Sequence, residues 1–250
     1  MSSLYEKAAD MILKSKSTVV LTGAGISTES GIPDFRSPGS GLWEEVDPME
    51  ALSTGVLYDK PAKFYSMGFK ILTSMKDAEP NKSHYCLAEM ESMGLVDLIV
   101  TQNIDNLHYK AGSKRVYEVH GNTRTCSCDN CGEEYDIALI EKRVSEGEIP
   151  PKCRCRGIIR PDVVLFGDML PQCFYDSIRE VEAADLLIVI GSSLSVSPVN
   201  HLADICRRLI IINLGETYYD HKADIIIREK ISGALANIMD IIKGRMEENE

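Results

Sequence analysis

The chain predicts an α/β fold: a doubly wound parallel sheet carrying a smaller unit built from two insertions. Three observations lead there. Short apolar, β-branched runs at 19–21, 96–101, 185–190 and 209–212 are separated by stretches with helical spacing, as in strands buried on both faces and joined by crossover helices. These runs end in polar or glycine-rich clusters, which a parallel sheet collects along one rim. Finally, five of the eight cysteines gather within 123–160, a charged stretch with few apolar residues, so that stretch is an insertion of different character.

The bulk properties bound the reading. A chain of 250 residues can form one sizeable core with an appended module, or two domains. Its 44% hydrophobic and 26% charged content are those of a soluble globular protein. No apolar run approaches the roughly 20 residues of a membrane span, and residues 1–16 lack the basic start and apolar centre of a signal peptide. A cytoplasmic location without membrane association is expected. The net charge of −11 disfavours direct nucleic-acid binding and favours basic partners such as Lys-rich protein tails, although solubility alone would account for it.

In chain order, Ser3 and Glu6 have the spacing of a capping box, and Leu4, Ala8, Met11 and Ile12 follow at helical intervals, so residues 4–15 form a helix. The strand at 19–21 runs into Thr22-Gly23-Ala24-Gly25-Ile26-Ser27. Glycines there let a diphosphate reach backbone N–H groups that a Cβ would shield. Tight turns use the same residues, and position 28, where a dehydrogenase fingerprint needs its third glycine, is Thr28. In Gly31-Ile32-Pro33-Asp34-Phe35-Arg36 the Arg36 fork suits phosphate oxygens and Phe35 suits shielding of a reacting centre. A solvated surface turn is the equal alternative. The Pro/Gly/Ser run 37–41 reads as a loop that ligand orders, followed by helix starts at Asp47-Pro48-Met49-Glu50 and over 61–75, so 37–80 is a helical insertion.

Residues 83–93 form a helix stopped by Gly94 and lead to the strand at 96–101. The loop Gln102-Asn103-Ile104-Asp105-Asn106 is dense in amides and carboxylate, for helix capping or for chemistry. A strand over 115–119 ends at His120-Gly121. A lone histidine is more often structural, but α/β enzymes keep their chemistry at this strand edge. In the cysteine-rich insertion, Cys128 and Cys131 have the C-x2-C spacing of a zinc knuckle, while Cys153 and Cys155 are one residue closer and Cys126 is spare. Four soft ligands with no neighbouring histidine fit a closed, structural Zn²⁺ in a segment too polar for a core of its own. The parallel sheet is then expected to resume with a strand at 162–166 ending at Gly167. A helix at 171–184 follows, then the strand 185–190 ending in Gly191-Ser192-Ser193-Leu194-Ser195. The chain closes with a helix at 199–208, a strand at 209–212 ending at Asn213, a short strand at 224–227, a helix at 231–246 and a frayed end.

Together these blocks resemble one family. GAGIS with GIPDFR, TQNID, HG, the paired cysteines, GIIRPDVVLFGD, GSSLSVSP and Asn213 match, in order and over nearly the whole chain, the sirtuins, the silent information regulator family of NAD-dependent protein deacylases. The resemblance implies a Rossmann-like NAD-binding domain over 1–36, 81–122 and 161–250, a helical insertion with a cofactor-binding loop at 37–80 and a zinc module at 123–160. It implies that Ala24, Gly25, Ser27, Thr28 and Arg36 hold the diphosphate side of NAD, and that Gly191, Ser192, Ser193, Asn213 and Ile231 hold the adenosine. Phe35, Ile104 and Asp105 would line the nicotinamide pocket, and Gln102 and Asn103 would place ribose and water beside His120, the general base. Val164, Phe166 and Gly167 with Ser195, Val196 and Ser197 would sandwich an acetyl-lysine peptide as an added strand. Cys128, Cys131, Cys153 and Cys155 would hold the zinc.

By this resemblance NAD is consumed, with acetyl-lysine, NAD and water giving lysine, nicotinamide and O-acetyl-ADP-ribose. Two departures stand out. The Cys153-Cys155 spacing leaves the zinc ligand set open. Members that prefer acidic acyl groups carry a Tyr-x-x-Arg pair, whereas Tyr65 is followed by Gly68, so acetyl or another neutral acyl group is expected. Mono-ADP-ribosyl transfer at the same site and a zinc-stabilised NAD-binding scaffold without turnover are the rival readings.

Overall fold

The computed structural model describes residues 3–34 and 47–248. The loop expected at 37–41 lies outside them. Six strands form the main sheet: β1 (Thr18–Thr22), β2 (Leu98–Thr101), β3 (Val116–Glu118), then, after three strands of a second sheet, β7 (Leu186–Ile190), β8 (Leu209–Ile212) and β9 (Ile225–Ile227). Their order is β3-β2-β1-β7-β8-β9 and every pairing is parallel. Counting only these six strands, the order is the 3-2-1-4-5-6 of dinucleotide-binding sheets, with its reversal of direction between β1 and β7.

The near-continuous apolar strands follow from burial on both faces. Val20, Ile99, Ile188 and Ile210 face a core shared with the helices Leu4–Lys14, Lys82–Ser92 and Ile231–Glu247. Their neighbours Val19, Leu21, Val100, Leu187, Val189 and Ile211 pack on the other side, against Phe174 and Val181 of the helix Gln172–Ala183 and against Leu202. The capping box is formed: Ser3 N–H donates to Glu6 Oε2 (2.6 Å) and Glu6 N–H to Ser3 Oγ (3.2 Å). No helix among the described residues is long and apolar enough to cross a membrane.

The smaller unit holds an antiparallel sheet, β5-β4-β6, made of β4 (Gly121–Cys128), β5 (Glu134–Asp136) and β6 (Ile159–Val163). This corrects the expectation that the chain re-enters the parallel sheet at 162–166. Alternating burial along β6, with Ile159, Pro161 and Val163 inward, is that of a half-exposed antiparallel strand. The divisions expected at 122/123 and 160/161 accordingly fall inside β4 and β6. The helical segment is one irregular rod, in which Pro61–Lys63 is α, Phe64–Gly68 is π and Phe69–Thr73 is α again.

The two insertions bury a common core, which neither has apolar residues enough to build alone. Phe64, Tyr65, Phe69 and Leu72 of the rod pack with Cys126, Ile140, Ile159 and Val163 of the cysteine-rich unit. Tyr65, 1% exposed, also donates its hydroxyl to the Ile159 carbonyl (2.6 Å), pinning rod to sheet. Tyr65→Phe removes that bond and leaves a buried carbonyl short of a donor. Urea unfolding is expected to show a loss of about 1–2 kcal/mol; a variant as stable as the parent would place the link elsewhere.

Candidate active site

A cavity of ≈ 310 Å³ opens at the carboxyl ends of the parallel strands, across the β1/β7 reversal. Thirteen residues expected at the site line it: Ala24, Gly25, Thr28, Gln102, Asn103, His120, Gly191, Ser192, Ser193, Ser195, Val196, Asn213 and Ile231. They come from loops far apart in sequence and meet because each follows a strand. The turn after β1 is tighter than a loop, continuing as the 3-10 helix Ala24–Ser30. Its backbone touches the turn after β7: Gly25 N–H donates to the Gly191 carbonyl at 2.9 Å. A Cβ on Gly25 would stand 2.8 Å from Gly191 Cα, and Gly191 has φ +63°, so only glycine allows this contact.

His120 is held by the backbone on one side and opens on the cavity with the other. Its Nδ1 lies 2.9 Å from the Gln102 carbonyl oxygen, which can only accept, so Nδ1 carries the proton and Nε2 keeps its lone pair. Burial lowers its pKa below 6.5, partly opposed by that hydrogen bond, so the ring is neutral at pH 7. A clamp spans the corner on which it sits. Glu118 receives two bonds from Arg124 (2.7 and 2.6 Å), and Arg124 also reaches Asn106 Oδ1 (2.8 Å). Gly121 turns the corner at φ +77°, where a Cβ would meet the Asp162 carbonyl at 2.0 Å. Gln102 also donates Nε2–H to Ser192 Oγ (2.9 Å), tying the end of β2 to the end of β7.

Ser27, Ile104 and Asp105 stand behind the cavity wall rather than in it. Ser27 donates its hydroxyl to Asp105 Oδ2 (2.6 Å), and Asp105 Oδ1 caps Leu107 N–H (2.9 Å), so the capping reading of this acid holds as well. Asn103 Nδ2 donates to the Gly23 carbonyl (3.2 Å) and to Ser27 Oγ (3.1 Å). A carbonyl cannot donate, so the amide is oriented, and Oδ1 is left as an acceptor at the cavity. Ile104 packs into the core of the smaller unit, and its carbonyl accepts from Thr123 N–H and Oγ1–H (3.3 and 2.9 Å).

Phe35 and Arg36 lie outside the described residues. Gly23 and Asp34, read in the glycine turn and the GIPDFR block without an assigned role, also line the cavity, and sequence reasoning missed Leu214, Gly215 and Glu216 there. The rule that found Asn213 covers the last three, since they directly follow β8 and Asn213 donates to the Gly215 carbonyl (2.9 Å). The expected peptide groups are divided. Ser195 and Val196 line the main cavity, Val164 a neighbouring groove with Asp162 and Met169, while Phe166 and Gly167 are exposed. Val164 N–H is bonded to the His120 carbonyl (2.9 Å). Both backbone groups of Phe166 are taken by Leu52 and Thr54 (2.9 and 3.0 Å), which makes Phe166 a poor partner for an added strand.

In the smaller unit the thiols of Cys128, Cys131, Cys153 and Cys155 lie within 4.8 Å of one another, while Cys126 is buried in the core and outside the group. The shortened Cys153-Cys155 spacing therefore still delivers four ligands. Donors point at the sulfurs, as thiolates require: Asn130 N–H to Cys128 (3.4 Å) and Tyr135 Oη–H to Cys153 (3.2 Å). This donor set fits one structural zinc ion with no open coordination position.

The sheet order, the cavity at its reversal and the four-cysteine unit define a zinc-bearing, dinucleotide-binding α/β protein. A model of the Sir2 family matches residues 23–198. The chain is 62% identical over 242 residues to NAD-dependent protein deacetylase 2 of Caldanaerobacter subterraneus subsp. tengcongensis, covering 96% of this chain and 97% of that protein. It is 44% identical to the NAD-dependent protein deacetylase of Sulfolobus acidocaldarius, covering 95% of each. A solved Sir2 structure with deacetylated p53 peptide and 3'-O-acetyl ADP ribose superposes with TM-score 0.88 at 38% identity, covering 94% of this chain and 96% of that one. Sir2 bound to acetylated peptide superposes at 0.86 with 35% identity over 98% of this chain and 99% of that one. The chain belongs to the Sir2 family.

The cluster makes a sharp prediction about its spare thiol. Cys131→Ser is expected to lose zinc and melt at lower temperature, whereas Cys126→Ser keeps its zinc. Elemental analysis showing zinc lost from Cys126→Ser, or a fully loaded Cys131→Ser, would overturn the assignment of ligands.

Proposed function

We propose that this chain is an NAD-dependent protein lysine deacetylase, converting acetyl-lysine, NAD and water to lysine, nicotinamide and O-acetyl-ADP-ribose. The observation that carries the reading is the neutral His120 imidazole, with its lone pair at the cavity and its other nitrogen fixed by the Gln102 carbonyl. Identity of 62% to a named deacetylase and likeness to Sir2 structures holding acetylated peptide support the same substrate.

When bound, NAD supplies an ADP-ribosyl group whose anomeric carbon becomes electron-poor as nicotinamide departs. The chain's own residues do the rest. The glycine turns after β1 and β7 admit the diphosphate, with Ala24, Gly25, Thr28 and Arg36 on its side and Ser27 supporting them from behind the wall. Gly191, Ser192, Ser193, Asn213 and Ile231 hold the adenosine. Asp105 and Ile104, which stand behind the wall, would receive the carboxamide together with Phe35. Asn103 Oδ1 and Gln102 orient ribose and water, and His120 Nε2 takes a proton from a ribose hydroxyl. The peptide lies between Val164–Gly167 and Ser195–Val196, pairing with backbone groups other than those of Phe166. A net charge of −11 favours Lys-rich substrates and gives no footing for direct binding to nucleic acid. Eight cysteines, none in a disulfide, favour a reducing, cytoplasmic setting.

Mass spectrometry of an acetyl-lysine peptide incubated with NAD tests the reaction: the peptide should lose acetyl as nicotinamide appears in equal amount. A peptide that keeps acetyl and gains ADP-ribose would mean mono-ADP-ribosyl transfer instead, and no nicotinamide would mean a scaffold. Removing the base should be costly, since general-base help is typically worth about 10²–10⁴-fold. His120→Ala should lose turnover on that scale while NAD still binds by calorimetry. The pH dependence has a definite sign. The base must be neutral, so kcat/KM should fall as pH drops through a midpoint below 6.5 and stay level above it. An acid limb centred above 6.5, or one that persists in His120→Ala, would exclude His120 from this role.

A further inference from the structure

Two buried histidines that this chemistry does not use sit behind the cavity wall. His84 and His108 are 0% and 2% exposed, and their rings meet edge to face with centroids 5.1 Å apart. Burial lowers their pKa values to about 4 and about 3, so both rings are neutral at pH 7. Each heads a chain of hydrogen bonds, the first ending on the Asn103 side-chain amide and the second on the Asn103 backbone N–H.

The first chain starts at the cap of the helix Lys82–Ser92. Asn81 N–H points at His84 Nδ1 (3.3 Å), and a backbone N–H can only donate, so the ring proton is on Nε2. That Nε2–H faces Ser27 Oγ at 3.5 Å, which also receives Asn103 Nδ2–H at 3.1 Å. With donors on both its lone pairs, the Ser27 hydroxyl has its single hydrogen directed to Asp105 Oδ2, at 2.6 Å.

The second chain runs beneath the strand ends. Thr22 donates its hydroxyl to Thr101 Oγ1 (2.8 Å), which in turn accepts from Asn103 N–H (3.1 Å). Thr22 Oγ1 lies 2.9 Å from His108 Nε2, and its hydrogen is already committed, so His108 is the donor and its proton also sits on Nε2. Its Nδ1 is buried without a hydrogen-bond partner among the described residues, so the ring is not satisfied as an ordinary core histidine would be.

We propose that His84 and His108 are positioning residues: His84, through Ser27, sets the direction of the Asn103 side-chain amide and the Asp105 carboxylate, and His108, through Thr22 and Thr101, fixes the Asn103 backbone from which that amide projects behind the reacting centre. This rests on the deacetylase reading, because turnover is what the positioning serves. The alternative is that the two rings only fill space.

The test compares leucine, which fills volume, with glutamine, which returns an N–H donor near the position of Nε2, at each site. His84→Leu and His108→Leu should fold and hold zinc. They should lower kcat for nicotinamide release by about tenfold, the scale of one lost buried hydrogen bond, with KM for acetyl-lysine peptide little changed. Half-inhibition by added nicotinamide should need more of it in His84→Leu, through Asp105. His84→Gln and His108→Gln should recover much of the loss, and His84→Leu should add little in a Ser27→Ala background. Leucine variants as active as the parent, or leucine and glutamine equally impaired, would overturn the proposal. Should the variants fail to fold, long-range ¹H–¹⁵N spectra of the parent decide: both rings must be Nε2–H tautomers at pH 7, and an Nδ1–H tautomer at either overturns it. A parent chain that releases no nicotinamide removes the deacetylase reading and the catalytic purpose of the pair with it. An active parent with indifferent leucine variants removes the pair alone.

Discussion

Two backbones that touch without side chains between them set the shape of this molecule's working end. The Gly25 N–H bonded to the Gly191 carbonyl joins the turns after β1 and β7 at the point where the strand order reverses. Strands leaving a reversal diverge and open a crevice, while this bond keeps its floor narrow and exposes main-chain groups along it. The bond from Gln102 Nε2 to Ser192 Oγ repeats the link one layer out, so the amide-rich segment after β2 closes on the same floor. His120 is reached last, through the Gln102 carbonyl, and its orientation depends on that whole stack being in place.

The smaller unit depends on two constraints of another kind. Zinc supplies what the polar 123–160 stretch lacks in apolar surface, and the common core with the helical rod supplies the rest. Since β4 begins at Gly121, directly after His120, the packing of this unit bears on the position of the imidazole. The Glu118–Arg124 clamp brackets that junction, tying the end of β3 to β4 on either side of His120.

Much of this was legible in the sequence because the informative residues are local. Gly23-Ala24-Gly25, Gln102 to Asp105, His120 and Gly191 to Ser193 each sit within a few residues of an apolar strand, and the rim of a parallel sheet gathers them without further information. β6 was misassigned for a physical reason. The run at 162–166 is as apolar as a sheet strand, and only its partner β4 reveals that it pairs antiparallel and buries one face. The histidines at 84 and 108 stayed silent because each is a single polar residue on a helical face, where a satisfied core residue is the ordinary case. Their meaning lies in contacts with Ser27 and Thr22, tens of residues distant. The zinc ligands fell between, since spacing gave the pairs but only coordinates separate Cys126 from the cluster.

The central claim is that one pocket brings the glycine floor, the oriented Asn103 amide and the His120 lone pair around a single ribose. A crystal structure of the protein with NAD and an acetyl-lysine peptide measures this directly. A ribose hydroxyl beside nicotinamide should lie within hydrogen-bond reach of His120 Nε2, about 2.6–3.2 Å, with the diphosphate over Gly25. A ribose held elsewhere, with His120 Nε2 facing only solvent or protein, would contradict the account.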